Sequence, residues 1–177
     1  ICRQIAGCVD GLNPARRKVI LGAMLRFASG SSKPIKIFQL GGFVADKCYY
    51  HHGDMSLNGT ITSMAKSFIG ECKYPYLVSV GQFGSRHGDA AGSPRYISVK
   101  PSDIIKVALP VADRYLLPYV FEDGERAEPQ YFVPTVPMNI LESYAIPSEG
   151  WAHTSVGRDL EAVLSVVEAY IDGDYVL

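Results

Sequence analysis

Two short apolar segments, YLVSV at residues 76–80 and YISV at 96–99, are separated by GQFGSRHGDAAGSPR, a stretch of about fifteen residues rich in glycine and small side chains. No other feature of the chain restricts its fold as much. The β-branched and aromatic content of the two segments reads as strands. The connection between them is too long for a tight turn and belongs to the class of long loops that commonly carry function. Pro94 stiffens the exit of the loop, and Arg95 and Tyr96 stand side by side where the second strand begins. On this segment alone, Tyr96 reads as a strand-edge aromatic with a solvated neighbour, because period-2 strands routinely begin this way.

Two helices are expected upstream. In NPARRKVILGAMLRFASG, Asn13 is a good N-cap, Pro14 suits the first helical position, and Ile20, Met24 and Phe27 recur as a buried stripe, so a helix should run from Pro14 to about Ser29. Arg16, Arg17 and Lys18 all fall in its first turn, where the helix dipole disfavours cations by roughly 0.3–1 kcal/mol each. A bound phosphate would compensate for that cost. So would solvation of the turn together with an ion pair from Arg17 to a nearby carboxylate. In YYHHGDMSLNGTITSMAKSFIG, the spacing of Leu57, Ile61, Met64 or Ala65, and Phe68 predicts a second helix from about 54 to 69, despite Gly59. His51 and His52 immediately precede it. Cys48, His51 and His52 do not form a convergent ligand set, so a metal site is not expected; imidazoles beside a helix N-terminus suit a phosphate contact better.

Helices followed by strand, long loop and strand is the order of a winged helix, a helix-turn-helix variant with a β wing. Farther along, SDIIKVALP predicts a short helix and YLLPYVFEDGERAEPQYFVP a hairpin around Asp123-Gly124. RDLEAVLSVVEAYIDG predicts an amphipathic helix with Leu160, Val163, Leu164, Val167 and Tyr170 on its apolar face. The expected class is α+β, with a winged-helix domain over 1–130 and the start of a second, mixed α/β domain over 131–177.

At 177 residues and 47% apolar content the chain can bury a proper core. A net charge of −1 and a pI near 6.5 exclude a bulk electrostatic nucleic-acid binder, so any such function must use local clusters. No apolar run approaches the roughly eighteen residues of a membrane span, so no membrane partner is expected. Cys2, Cys8, Cys48 and Cys72 form no CxxC pair and sit among aliphatic neighbours, the pattern of reduced thiols inside a cell. The first residue is not methionine and the chain ends abruptly at DGDYVL, which reads as a piece of something longer.

Five motifs, DGLNPARRKVI, YYHHGDMSL, GQFGSR, GSPRYI and EPQYFVPTVPM, stand in the order and spacing of one family. The chain resembles the cleavage-reunion region of type IIA DNA topoisomerases over almost its whole length. The pattern is the eukaryotic rather than the bacterial gyrase one, and its wording is nearest the branch of large cytoplasmic DNA viruses, the African swine fever virus type. The resemblance implies that Tyr96 is the nucleophile that takes the 5′ end of cut DNA as a phosphotyrosine. Arg95, Arg17 and His52 would stabilise charge on the transferring phosphate. Phenols titrate near 10 and need such help at neutral pH, but they leave as readily as they attack, so the ester exchange can run backwards.

The same resemblance implies contacts to double-stranded DNA from Arg16, Lys18, His51, Gln82, Arg86, Ser93 and Val136. Val136, between Pro134 and Pro137, would be a wedge that bends the DNA; the alternative is an apolar residue packed under its loop. It further implies a homodimer in the full enzyme, Mg²⁺ held by a Toprim module and ATP by another module, neither within this chain, so isolated activity is not expected. The second domain would be the start of the tower. Location would be intracellular, the host cytoplasm for a viral protein and the nucleus for a cellular one.

Two departures stand out. ILESYAIPSEGW replaces a Gly-rich stretch of relatives, which bars residue-by-residue transfer over about 141–151. Met55 occupies the place of the gyrase serine, so quinolone binding through that serine is not expected. Asp172-Gly173-Asp174 imitates a metal-binding acid cluster, but it follows a helix as a turn would. A non-catalytic winged-helix DNA-binding module, in which Arg95 and Tyr96 only grip a phosphate, is the alternative function; a metal-dependent nuclease lacks the carboxylates it would need.

Overall fold

The computed structural model describes residues 6–30, 33–68, 71–148 and 150–174. Helix α1 spans Pro14–Arg26. Asn13 Oδ1 caps it by accepting the Arg16 N–H at 2.9 Å, and Pro14 sits where no backbone donor is required. The helix stops short of Ser29. Phe27 leaves helical geometry at φ −104°, and Gly30, at φ 76°, donates its N–H back to Phe27 O and closes the turn.

A two-residue strand β1 (Ile35–Lys36) leads into α2 (Ile37–Lys47), a helix to which sequence reading assigns nothing, because Gly41-Gly42 weakens its propensity. Packing supplies the reason for one of these glycines and for Gly22 of α1. A Cβ at Gly22 would stand 2.5 Å from Val44 Cγ2, and one at Gly41 would stand 2.6 Å from Asn58 Oδ1. The two glycines are therefore the points where α2 closes on α1 and on α3 (Asp54–Ala65). Helix α3 ends about four residues before expectation, since Lys66 turns extended at ψ 130°; the remainder of the expected span includes residues 69–70, outside the described ones.

Strands β2 (Leu77–Val80) and β3 (Ser98–Pro101) pair antiparallel from Leu77 opposite Pro101 to Val80 opposite Ser98. Strand β1 pairs along the other edge of β3, with Ile35 opposite Val99, giving a three-stranded sheet in the order β1-β3-β2. Val19, Ile20 and Ala23 of α1, Ile37, Leu40 and Val44 of α2, Leu57 and Ile61 of α3, and Leu77 and Val99 of the sheet are buried together. Burial of this contiguous apolar set is what sets the sheet against the helices. Met24 belongs to the same core, and Phe27 and Phe68 are half-buried.

The short helix α4 (Asp103–Ala108) forms where expected, and a single 3₁₀ turn follows at Val111–Tyr115. Strands β4 (Tyr119–Glu122) and β5 (Glu125–Pro129) make the expected hairpin, closed by Asp123 at φ 53° and Gly124 at φ 84°, the two positive values that a two-residue turn needs. After it come a 3₁₀ turn at Met138–Ile140, a hairpin of β6 (Tyr144–Ser148) and β7 (Trp151–Ser155), and helix α5 (Leu160–Asp172). The hairpin occupies the segment where the sequence departs from its resemblance.

Asp159 caps α5 through the N–H groups of Glu161 and Ala162, and Gly173, at φ 81°, ends it. Asp172-Gly173-Asp174 is thus a helix-terminating turn. Of the apolar face expected for α5, Val163 is buried, Leu160, Leu164 and Val167 are half-buried, and Tyr170 is exposed. The chain is an α+β assembly of helices and small antiparallel sheets, and among the described residues no helix is long and apolar enough to cross a membrane.

Candidate nucleic-acid interface

Tyr96 is 78% exposed, which is exceptional for a tyrosine at the edge of a core, and it lies in a turn before β3 rather than in the strand. The turn is rigid. The N–H groups of Tyr96 and Ile97 both donate to Ser93 O, at 2.8 and 3.3 Å, and Ile97 is buried. Three bonds tie it to the β1–α2 junction: Phe38 N–H to Pro94 O, Ile37 N–H to Ile97 O, and Lys36 Nζ to Tyr96 O at 2.7 Å. The phenol is displayed while its backbone is fixed on both sides. Sequence reading did not find Lys36, since only the β1–β3 pairing brings it there.

The loop before this turn is anchored rather than loose. Phe83 is buried and bridges Ala91, and the Gly92 N–H reaches Gln82 O at 2.9 Å. Gly84, at φ 91°, comes so close to Asp89 O that a Cβ there would stand 2.6 Å from it. Gln82, Arg86 and Ser93 are exposed along this loop. A groove of about 550 Å³ is lined by Phe38, Gln39, Asp54, Asn58, Pro94 and Arg95, so Arg95 and the first turn of α3 border one depression. No side chain caps α3, whose N-cap is Gly53, and His52 stands exposed one residue earlier with its ring edge-on to Tyr50 at 5.4 Å. The free N–H groups of that end and His52 face solvent.

The three cations of α1 are sorted into different environments. Arg16 is exposed and borders a cavity of about 170 Å³ with Glu71, Cys72, Tyr76 and Glu142. Arg17 makes an ion pair with Asp10, Nε to Oδ2 at 2.7 Å and Nη2 to Oδ1 at 3.0 Å, and Nη2 also donates to Leu12 O. The ion pair with a carboxylate is the alternative the sequence had left open, and it occupies two of the three guanidinium nitrogens. Asp10 is fully buried and also accepts the N–H groups of Leu12 and Phe132, so one carboxylate fastens α1 to the 130s segment.

Lys18 departs from the sequence expectation of a DNA contact. Its side chain is 7% exposed and its ammonium lies 2.9 Å from Glu122 Oε1, 2.6 Å from Glu128 Oε2 and 2.6 Å from Cys48 O. Such an enclosed charge is a structural tie and has no face for a phosphate. His51 is exposed, with Nε2 3.4 Å from Glu122 Oε2. Val136 is half-buried and packs on the core, and its neighbour Thr135 is fixed to α4 through Ala108 O and Val107 O. No hydrogen bond or ion pair joins Tyr96, Arg95, Arg17 and His52 to one another among the described residues.

Cys8, Cys48 and Cys72 are free thiols; Cys2 lies outside the described residues. Burial pushes the Cys48 thiol up to about 12, and burial with the nearby Glu142 carboxylate does the same for Cys72. Neither is a nucleophile at neutral pH. Among the described residues no group of three His, Cys, Asp or Glu side chains could hold a metal ion.

The family model for the A-type chain of DNA gyrase/topoisomerase IV matches residues 3–176. The chain is 52% identical over 176 residues to DNA topoisomerase 2 of African swine fever virus, covering 97% of this chain and 15% of that protein. It is 34% identical over 174 residues to DNA topoisomerase 2-alpha of Cricetulus griseus, covering 97% of this chain and 11% of that protein. The solved DNA-binding, cleavage and re-ligation domain of Plasmodium falciparum topoisomerase II superposes with a TM-score of 0.91 at 30% identity, over 99% of this chain and 24% of that one. The chain thus spans about 15% of the length of the viral relatives it matches.

Proposed function

The chain belongs to the DNA gyrase/topoisomerase IV family, in its A-type branch, and from that premise we propose that it is part of the DNA gate of a type IIA topoisomerase, with Tyr96 as the nucleophile. The observation that carries this reading is the exposed phenol on a turn whose backbone is tied to α2 and β3. Chemistry that must run in both directions needs a nucleophile that is reachable yet held in place. The Tyr96 oxygen forms a bond to phosphorus as the bond from phosphorus to the 3′ oxygen breaks. The phenol's proton is lost to a base and the departing 3′ oxygen takes one up. Reversal of the same exchange reseals the strand.

Arg95, with no ion pair of its own among the described residues, and His52 beside the uncapped N-terminus of α3 stabilise charge on the phosphate. Arg17 adds to this only through Nη1, the nitrogen that Asp10 and Leu12 leave over. Arg16, His51, Gln82, Arg86 and Ser93, all exposed, extend the contact to double-stranded DNA. The element order α1-β1-α2-α3-β2-loop-β3, with the sheet ordered β1-β3-β2, supports reading residues 1–130 as a winged helix whose wing is the 81–92 loop. Residues 131–177 then begin the next domain, the tower.

Mg²⁺ would supply metal assistance to the exchange, but the described residues offer it no ligand cluster, so its holder, like that of ATP, lies on another module of a homodimeric enzyme. The test is covalent trapping in the full-length enzyme. Denaturing the reaction should leave the 5′ end of cut DNA attached to Tyr96, and Tyr96→Phe should abolish the adduct while DNA affinity stays within about threefold. DNA binding without any adduct in the wild-type enzyme would instead leave a non-catalytic winged-helix module.

A further inference from the structure

The four residues that lead into α3 are held from outside their own segment. Lys18 Nζ takes Cys48 O at 2.6 Å and Tyr49 O at 3.3 Å, and Tyr49 itself sits at φ 54°, a left-handed conformation that a tyrosine keeps only when its surroundings impose it. The same ammonium bonds Glu122 Oε1 at 2.9 Å. The other oxygen of that carboxylate, Oε2, lies 3.4 Å from His51 Nε2, and Asp123 Oδ2 stands at 3.9 Å on the same side. Glu122 therefore has one oxygen on a buried lysine and the other on the residue next to His52.

We propose that Glu122, at the end of β4, is a positioning residue for His52, acting through His51. The proposal rests on the reading of Tyr96 as nucleophile and of His52 as a group that bears on the phosphate. His52 has no hydrogen bond of its own among the described residues; its ring leans only on Tyr50. Its direction is therefore set by the backbone of Tyr50 and His51. That backbone is fixed at one end by the Lys18 carbonyl bonds and at the other by the His51–Glu122 contact. An exposed histidine–carboxylate pair adds little to stability, so glue is a poor account of it. A fixed entry into α3 is a better one.

If Glu122 is lost, Lys18 still holds Glu128, Cys48 O and Tyr49 O, so the fold should survive and only the link to His51 should break. In the full-length enzyme, Glu122→Ala should slow single-turnover cleavage at saturating DNA about tenfold and leave DNA affinity within about twofold. Glu122→Gln keeps an acceptor for Lys18 and a polar group for His51, and should recover the rate to within about threefold of wild type. In a His52→Ala background, Glu122→Ala should slow cleavage no further, because the group it positions is gone.

Equal slowing in both backgrounds, or a loss of affinity with an unchanged rate, would overturn the proposal. If Glu122→Ala proves unstable, the same cycle run with Glu122→Gln decides. A wild-type enzyme that forms no Tyr96 adduct would fail the parent reading instead, and that is scored separately from the cycle.

Discussion

Replacing Lys18 with methionine separates the two roles that a cation in the first turn of α1 could have. Methionine keeps the volume and removes the charge. The ammonium is enclosed by Glu128, whose side chain is 6% exposed, by Glu122 at 30%, and by the carbonyls of Cys48 and Tyr49. Without it, two carboxylates face each other and two carbonyls lose a donor. Breaking a buried ion pair from one side costs about 3–5 kcal/mol, most of it the burial of the partner left behind. For a chain of this size that is a fall in Tm of roughly 6–20 °C. Lys18→Met/Glu128→Leu should recover at least half of the loss, since an apolar pair can replace a buried ionic one at little net cost. Thermal unfolding of the three proteins measures both effects. DNA binding over a range of salt should show the same slope for wild type and Lys18→Met, because no phosphate contact is removed. A melting temperature within a degree or two of wild type, together with a salt slope lower by about one, would place Lys18 on the DNA and refute the enclosed brace.

Two further outcomes are expected. Val136→Ala in the full enzyme should reduce DNA bending, read by energy transfer between end-labelled fluorophores, with thermal stability unchanged within a few degrees; unchanged bending with a large stability loss would make Val136 a core residue only. The Cys48 thiol, moved by burial from 9.0 up to about 12, stays protonated in the fold after it ionises in the unfolded chain. Its contribution is complete below about pH 9 and is lost as pH rises toward 12, amounting to about 2 kcal/mol by pH 10.5. Urea unfolding at pH 8 and 10.5 should therefore show a smaller drop for Cys48→Ala than for wild type; equal drops would mean that the thiol is not buried in solution.

The parts of the fold legible in the sequence are those whose causes are local. Asn13-Pro14 opens α1, Asp123-Gly124 closes a two-residue turn, and Asp159 and Gly173 bound α5, all by side-chain or φ requirements within a few residues. Helix α2 was invisible because Gly41-Gly42 argues against a helix, and the reason for Gly41 is Asn58 on another element. The same holds in the candidate site. Asp10 lies seven residues before Arg17, near enough to suspect, but the partner of Lys18 lies 104 residues away on β4. Nothing in ARRK distinguishes an arginine that faces out from a lysine that faces in, because α1 is buried on every side from Lys18 to Met24 and offers no polar face to follow.

The near-neutral charge of the chain and its proposed contact with DNA are reconciled by where the pairs form. Arg17, Lys18, His51, Lys47, Lys66 and Lys106 each stand against a carboxylate. Arg86 on the loop and Arg95 beside Tyr96 have no such partner among the described residues, and His52 adds the uncapped end of α3 to the same side. A net charge of −1 thus averages over neutralised pairs and a few uncompensated donors gathered at the exposed phenol. Their range is short, since at physiological salt a charge is screened within about 8 Å. The arrangement gives little long-range attraction for DNA and strong local stabilisation where charge develops on a phosphate. That division suits a segment that works within a larger enzyme: capture can be left to the rest of the protein, while this chain concentrates its unpaired cations at the reacting atom.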